Sequence, residues 1–341
     1  MDFGAFILCQ RLDETTPANN VFPEALELVK SAETAGFNNV WFPEHHLLHY
    51  VSCPSPLMMA VKAASQTSRI RVGTAITVAP YYHPLRLAGE IALADHLTGG
   101  RLDIGIGRGA VDYEFVRFGI DAKTASARFI ESTSAVMRLL KEENVSCDGP
   151  TWPFGASTSV PRPYQNPFPP MWVAARSGET MEWAVRHDMN VMTNTPWGEP
   201  FSGIEKAHAM FTTALERAKP NRRPRFGVSR VTFVADTDAQ ARAEMAEVQK
   251  SNRIFTRLFR NLVTVKDGFA GAAPVDGEPS EDHLFDVLIA GSPETCIAKL
   301  KKYEALGVDH FIMFVLGGTH ASAMKSVRLF GEKVIPAFRK G

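Results

Sequence analysis

Residues 71–109 read RVGTAITVAPYYHPLRLAGEIALADHLTGGRLDIGIGRG. Arg71–Val78 is a β-type run rich in Val, Ile and Thr. A helical stretch follows over 84–97, with Pro84 suited to its first turn. A second buried-looking run, Leu102–Ile106, ends in glycines. Strand, helix and strand in this order form a parallel crossover unit. Within the helix, Leu85, Ala88, Ile91, Ala92 and Leu97 are expected along one face that covers the sheet.

The same alternation extends in both directions. Further strands are expected at Asp2–Leu8, Asn39–Phe42, Met171–Ala174, Asn190–Thr193, Arg225–Ala235 and His310–Leu316. Helices are expected near 23–35, 54–67, 124–142, 178–187, 201–218, 237–260, 292–306 and 320–338. Pro23 suits a first helical turn, and Ser292-Pro-Glu reads as a cap followed by proline. The repetition shows no central change of composition, which favours a closed (β/α)8 barrel, a TIM barrel with insertions, over two doubly wound domains. One domain spanning 1–341 is therefore expected. Residues 147–170, with seven prolines, read as an extended insertion. Residues 261–283, rich in glycine and acids, are either a mobile lid or a disordered excursion.

Lys plus Arg and Asp plus Glu each number 37, so the formal charge is zero. Nucleic acid and anionic membranes select a basic surplus and are not expected as partners. Every apolar run is broken well short of the roughly 18 residues a membrane span needs. No basic leader precedes the first apolar stretch, and the four cysteines lie far apart without metal-ligand spacing. A reducing cytoplasm is expected, with no structural metal.

Three motifs could carry chemistry. Pro43-Glu44-His45-His46 follows the second strand, where barrel enzymes gather catalytic groups. Adjacent histidines point apart, so they make poor co-ligands; His45 could act as acid, base or donor, or merely cap and pack. Gly105-x-Gly107-Arg108-Gly109 lacks Rossmann spacing and suits a tight strand end delivering one guanidinium to an anion. Alternatively, Arg108 could simply pair with Asp112 or Glu114. Arg176-Ser177-Gly178-Glu179-Thr180 opens a helix whose free amides would seat a phosphate, although Ser177 could equally be a plain N-cap. Together these suit a phosphorylated cofactor lying across one barrel mouth.

With those segments in view, the chain resembles the bacterial luciferase-like, flavin-dependent monooxygenases, in particular the luciferase α subunit. The stretches that carry the resemblance are MDFGAFIL, GFNNVWFPEHH, the quoted 71–109 run, FVRFGIDAKTASAR, PPMWVAARSGETMEWA and AGSPETCIAKL. They span essentially the whole chain. The resemblance implies a (β/α)8 barrel binding FMN as FMNH2 from a separate flavin reductase. Such enzymes oxygenate a small organic substrate with O2 through a C4a-peroxyflavin. It implies His45 as the catalytic histidine, and Arg108, Arg176, Ser177, Gly178 and Thr180 at the FMN phosphate. Ala75-Ile76 would be joined by a non-prolyl cis peptide beneath the flavin, and Phe6 and Trp197 would wall the substrate pocket. Residues 261–283 would be the lid. A homodimer, or a heterodimer with a related subunit, is expected through helices 54–67 and 84–97, with Ala60, Ala63, Ala64 and Ala88 allowing close approach.

Three departures are visible. Gly107 replaces a cysteine beside the flavin, which should open space, and Arg176 replaces an acid at the phosphate. The lid composition differs, so light emission and a long-chain aldehyde are not implied. Two further readings stand beside this one. An F420-dependent hydride-transfer enzyme would be expected to lack the paired histidines. A non-catalytic partner subunit would be expected to lack Arg108-Gly109.

Overall fold

The barrel is built from eight parallel strands, and the computed structural model describes residues 1–339. The last two positions of the expected 1–341 domain lie outside the described residues. The strands are β1 (Asp2–Phe6), β2 (Asn39–Phe42), β3 (Arg71–Val78), β4 (Leu102–Gly107), β5 (Met171–Ala174), β6 (Asn190–Asn194), β7 (Phe226–Val234) and β8 (His310–Val315). Each pairs with its sequence neighbour, and β8 pairs with β1 through Asp2↔His310 to Phe6↔Phe314, which closes the ring. The expected eight strands are these eight. Their near-continuous burial is what strands covered on both faces require.

Trp41 plugs the barrel. A Cβ on Gly73 would lie 2.6 Å from its ring and one on Gly4 2.7 Å from its Nε1, so only glycine leaves room. Trp41 meets Trp172 edge to face, and its Nε1–H donates to His310 Nε2 at 3.2 Å. Burial, reinforced by the charge of Arg225, lowers His310 to about 3, so the ring stays neutral and can accept. At the N-terminal end, Arg71 and Asn39 both donate to the buried Asp103, at 2.9 and 2.6 Å, and tie β2, β3 and β4 together. That end is closed by paired charge. The opposite mouth is where functional groups collect.

Helices Pro84–Leu97 and Phe201–Ala218 match the expected spans, and Ser292 caps Pro293–Leu306 with Pro at its first position. Several expectations need correction. The buried face of Pro84–Leu97 is Leu87, Ala88, Ile91, Ala92 and Ala94, whereas Leu85 and Leu97 reach solvent. Ala60, Ala63, Ala64 and Ala88 are wholly buried against the barrel, so they are not available for close approach by a partner. Met58, Leu85, Leu93 and Leu97 are the exposed apolar residues on these two helices. The long helix expected at 237–260 divides into Asp238–Ala243 and Met245–Phe259.

Residues 147–170 are not simply extended. Phe154–Ser157 pairs antiparallel with Val145–Cys147, and Gln165 is held by Asp95 through two bonds of 2.7 Å. Within 261–283, Val265–Lys266 and Phe269–Ala270 form a small hairpin. From Glu281 the chain is already helical, capped by Ser280, which shortens the expected loop. The hairpin leans on the β2 loop: His49 N–H donates to Gly268 O at 2.8 Å, and the His49 ring packs on Phe269. Helices Asp112–Arg117 and Glu281–Val287, and the strand Ile289–Gly291 beside β7, were not expected. They are too short for periodicity to reveal.

Candidate active site

His45 and His46 leave the end of β2 and part company. His45 Nδ1 lies 3.0 Å from Glu114 Oε1, and His46 Nε2 lies 2.8 Å from Glu44 Oε1. Both carboxylates are about 2 % exposed, and each is surrounded by donors. Glu114 also accepts from the His46 backbone N–H at 2.7 Å and from Tyr81 OH at 3.2 Å. Glu44 also accepts from Val78 N–H at 2.8 Å and from Tyr82 OH at 3.0 Å. Burial opposes ionisation of Glu114, but the charge and hydrogen bond of His45, with the His46 amide, outweigh it and hold the carboxyl below its ordinary value. Burial wins at Glu44, which is raised.

The two histidines therefore differ in kind. His46 is packed beneath Phe118 and Tyr81, at centroid distances of 4.7 and 5.5 Å, and serves structure. His45 turns Nδ1 to a buried anion, which orients the ring with Nε2 bonded to no described residue. A histidine fixed by a carboxylate at one nitrogen and free at the other is arranged for proton transfer or hydrogen bonding to a ligand. Glu114 lies in the unexpected helix Asp112–Arg117, and sequence reasoning weighed it only as a partner for Arg108. Arg108 instead donates to Gly109 O at 3.2 Å and to Ser126 Oγ at 3.4 Å. Glu44 sat inside the quoted motif and was given no role. Nothing in the sequence signals which histidine each carboxylate takes.

Between β2 and β4 the floor of the mouth is shaped by β3. Its register against β4 slips between Thr74↔Ile104 and Thr77↔Ile106, and the Ala75–Ile76 peptide inside that bulge is cis. The Ile76 side chain lies over Gly107 of β4. A Cβ on Gly107 would lie 2.4 Å from Ile76 Cδ1. The expectation that Gly107 opens space is thus corrected, because Ile76 already fills it. Gly107→Ala is expected to displace Ile76 and cost about 1–3 kcal/mol. An unchanged urea midpoint would mean that Ile76 swings away freely.

Arg108 and Arg176 follow β4 and β5, which are neighbouring strands. Arg176 reaches solvent while the walls of the mouth surround it. Burial, with the positive charge of Arg108, lowers its pKa, so the two guanidiniums feel one another. Neither has a carboxylate within salt-bridge distance among the described residues. Beside them Ser177 caps helix Gly178–Arg186, accepting from Thr180 N–H at 3.3 Å, with Thr180 Oγ1 3.0 Å away. The N-cap reading of Ser177 therefore holds, and it coexists with exposed amides at the helix start. Two adjacent unneutralised cations at a helix N-terminus favour a dianion.

The opposite wall is aromatic. Phe6 packs on Phe314 at 5.0 Å, Phe314 on Trp197 at 5.4 Å, and Trp197 stacks on Phe255 at 5.4 Å. Phe6 and Trp197 are thus joined through Phe314 rather than in direct contact. The loop carrying Trp197 is held by Arg230, buried on β7. Arg230 donates to Thr195 Oγ1 at 2.6 Å, Pro196 O at 3.0 Å and Val287 O at 3.2 Å, and also to Glu199 O. A cavity of about 430 Å³ lies between this loop, helix Met245–Phe259 and residues 275–279. Among the described residues no cluster of His, Cys, Asp and Glu could hold a metal, and no helix is long and apolar enough to cross a membrane.

Comparison with known proteins agrees with this architecture. A family model described as luciferase-like monooxygenase matches residues 1–310. The oxygenase component of a flavin-dependent trigonelline monooxygenase from Acinetobacter baylyi is 33 % identical, over 99 % of this chain and 96 % of its own. The monooxygenase RslO1 from Streptomyces bottropensis superposes with a TM-score of 0.84 at 29 % identity, over 99 % of this chain and 100 % of its own. The oxygenating constituent of 3,6-diketocamphane monooxygenase from Pseudomonas putida, solved with FMN, shares the fold, with a TM-score of 0.81 at 21 % identity and 98 % of each chain covered. A family match over residues 1–310, together with a closed barrel whose one mouth carries an oriented histidine and a cationic pair, places this chain in the luciferase-like monooxygenase family of oxidoreductases.

Proposed function

We propose that this protein is the oxygenase of a two-component system, binding FMN in its reduced form from a separate flavin reductase and using O2 to oxygenate a small organic substrate. The observation that carries the cofactor assignment is the Arg108–Arg176 pair beside the Ser177-capped helix. Two cations with no carboxylate within salt-bridge distance among the described residues fit a terminal phosphate. The bulge at Ala75–Ile76 supplies an apolar ledge between that seat and His45. Bound there, reduced flavin would supply electrons to O2. The protein's share is to anchor the phosphate, to present Ile76 beneath the ring and to hold or donate a proton at His45 Nε2. Residues 261–283, docked on His49, act as the lid that keeps water from the mouth. The separate reductase is in keeping with the relative named an oxygenase component.

Arg108→Ala and Arg176→Ala are each expected to weaken FMN binding about tenfold while leaving riboflavin, which lacks the phosphate, nearly unchanged. Equal losses for both flavins would remove the phosphate role. Titration of FMN against F420 tests the deazaflavin alternative, and tighter F420 binding would reverse the assignment. The oxygenase reading itself is tested by supplying a reductase, NADH, FMN and labelled O2 to a substrate panel. Absence of label in any product argues against it and favours a non-catalytic subunit. Dimer formation is also part of the proposal, through Met58, Leu85, Leu93 and Leu97 rather than the buried alanines. Sedimentation of Leu93→Glu, expected to be monomeric, checks that face.

A further inference from the structure

We propose that the 430 Å³ cavity between the Trp197 loop and residues 275–279 is the organic-substrate site, and that it selects a flat ring compound bearing a carboxylate. The proposal rests on the oxygenase reading for the word substrate; the binding it describes does not. The volume falls in the usual range for small-molecule sites and suits one or two fused rings. One wall is planar: Trp197, almost fully buried, lies stacked against Phe255 at 26°. Aromatic faces of this kind favour a parallel or edge-on ring over a flexible chain.

Two guanidiniums line the cavity, and they differ. Arg253 is neutralised by Glu278, whose carboxylate it meets through Nε and Nη2 at 2.9 and 2.6 Å. That pair ties residues 275–279 to helix Met245–Phe259. Arg260, one helical turn beyond Thr256, borders the same cavity, and its side chain bonds to no described residue. Asn252 is a second under-used group. It is 3 % exposed, and its side chain has only two contacts, both at 3.5 Å, to Gln249 and Thr256. A buried amide with such long bonds has capacity left for a ligand. A free cation and a spare amide at the edges of an aromatic slot are complementary to a ring carboxylate, a charge that a neutral ring cannot offer the guanidinium.

Calorimetric titration with benzoate and nicotinate, against benzamide and nicotinamide, tests this on the full chain with and without FMN. The acids are expected to bind at least about tenfold more tightly than their amides. Arg260→Ala should abolish that preference and Arg260→Lys retain part of it. Arg260 is exposed, so neither change should threaten folding. Phe255→Ala should weaken acid and amide alike. Equal affinity of acid and amide in the parent protein, or an unaltered preference in Arg260→Ala, overturns the proposal. FMN affinity, read in the same samples, separates the outcomes: failure of the cofactor reading would appear as lost FMN binding with the acid preference intact.

Discussion

His45→Ala is expected to lower substrate-dependent oxygen transfer by about a hundredfold or more, while reduced-flavin binding stays within about twofold. The expectation comes from the way the ring is held. Glu114 takes the Nδ1 side at 3.0 Å, which leaves Nε2 as the one nitrogen that can serve a ligand. Glu114→Gln should reproduce part of the loss, because a neutral amide orients the ring less firmly than a carboxylate. His46→Ala should cost stability rather than turnover, since that ring bonds to Glu44 and packs under Phe118. The contrast between adjacent histidines is the discriminating measurement. Equal effects on turnover would refute the division of roles.

The pH behaviour follows in sign from Glu114. Its folded pKa lies below the ordinary value, so the stabilisation it contributes is present above that ordinary value. It is lost as pH falls through the lowered pKa. The His45 clamp should therefore survive mild acidity.

Arg230→Met is expected to destabilise the protein by about 3 kcal/mol, the scale set by leaving buried acceptors unsatisfied. Arg230 is 2 % exposed and has no carboxylate partner, and burial lowers its pKa. Its bonds go to the 195–199 loop and to Val287, so its charge is spread over several acceptors, of which Pro196 O also accepts from Glu199 N–H at 2.9 Å. Methionine fills much of the volume and donates nothing. Urea unfolding should show the loss, and the Trp197 fluorescence should lose its buried character before global unfolding. A midpoint unchanged from the parent would show that water replaces the guanidinium, and the loop would then need no clamp.

The barrel was legible because each strand is covered on both faces and each helix on one. Burial of that kind leaves apolar runs and periodic faces in the sequence, and Leu102–Gly107 and Phe201–Ala218 are plain instances. Where only a few residues form an element, as at Asp112–Arg117, no period can be established and the helix leaves no signature in the sequence. The buried face of Pro84–Leu97 differs from the expected one for another reason. Leu85 and Leu97 are apolar but exposed, and hydrophobicity does not distinguish a residue facing the core from one facing another surface.

The site divides along the same line. Local chemistry marked His45, Arg108 and the Arg176–Thr180 turn, because strand ends and helix starts have recognisable residues. Their partners were beyond reach of pattern. Glu114 finds His45 across 69 positions, and Arg230 holds Thr195 and Val287 across 35 and 57. The alternation of strand and helix, and with it a parallel barrel, is legible in the residues because the burial pattern of each element repeats within a few positions of the chain. Which charge meets which, and whether Gly107 leaves a gap, is set by the closed ring. The same closure leaves Arg108, Arg176 and Arg260 without salt bridges among the described residues, an outcome that neighbours along the chain do not dictate.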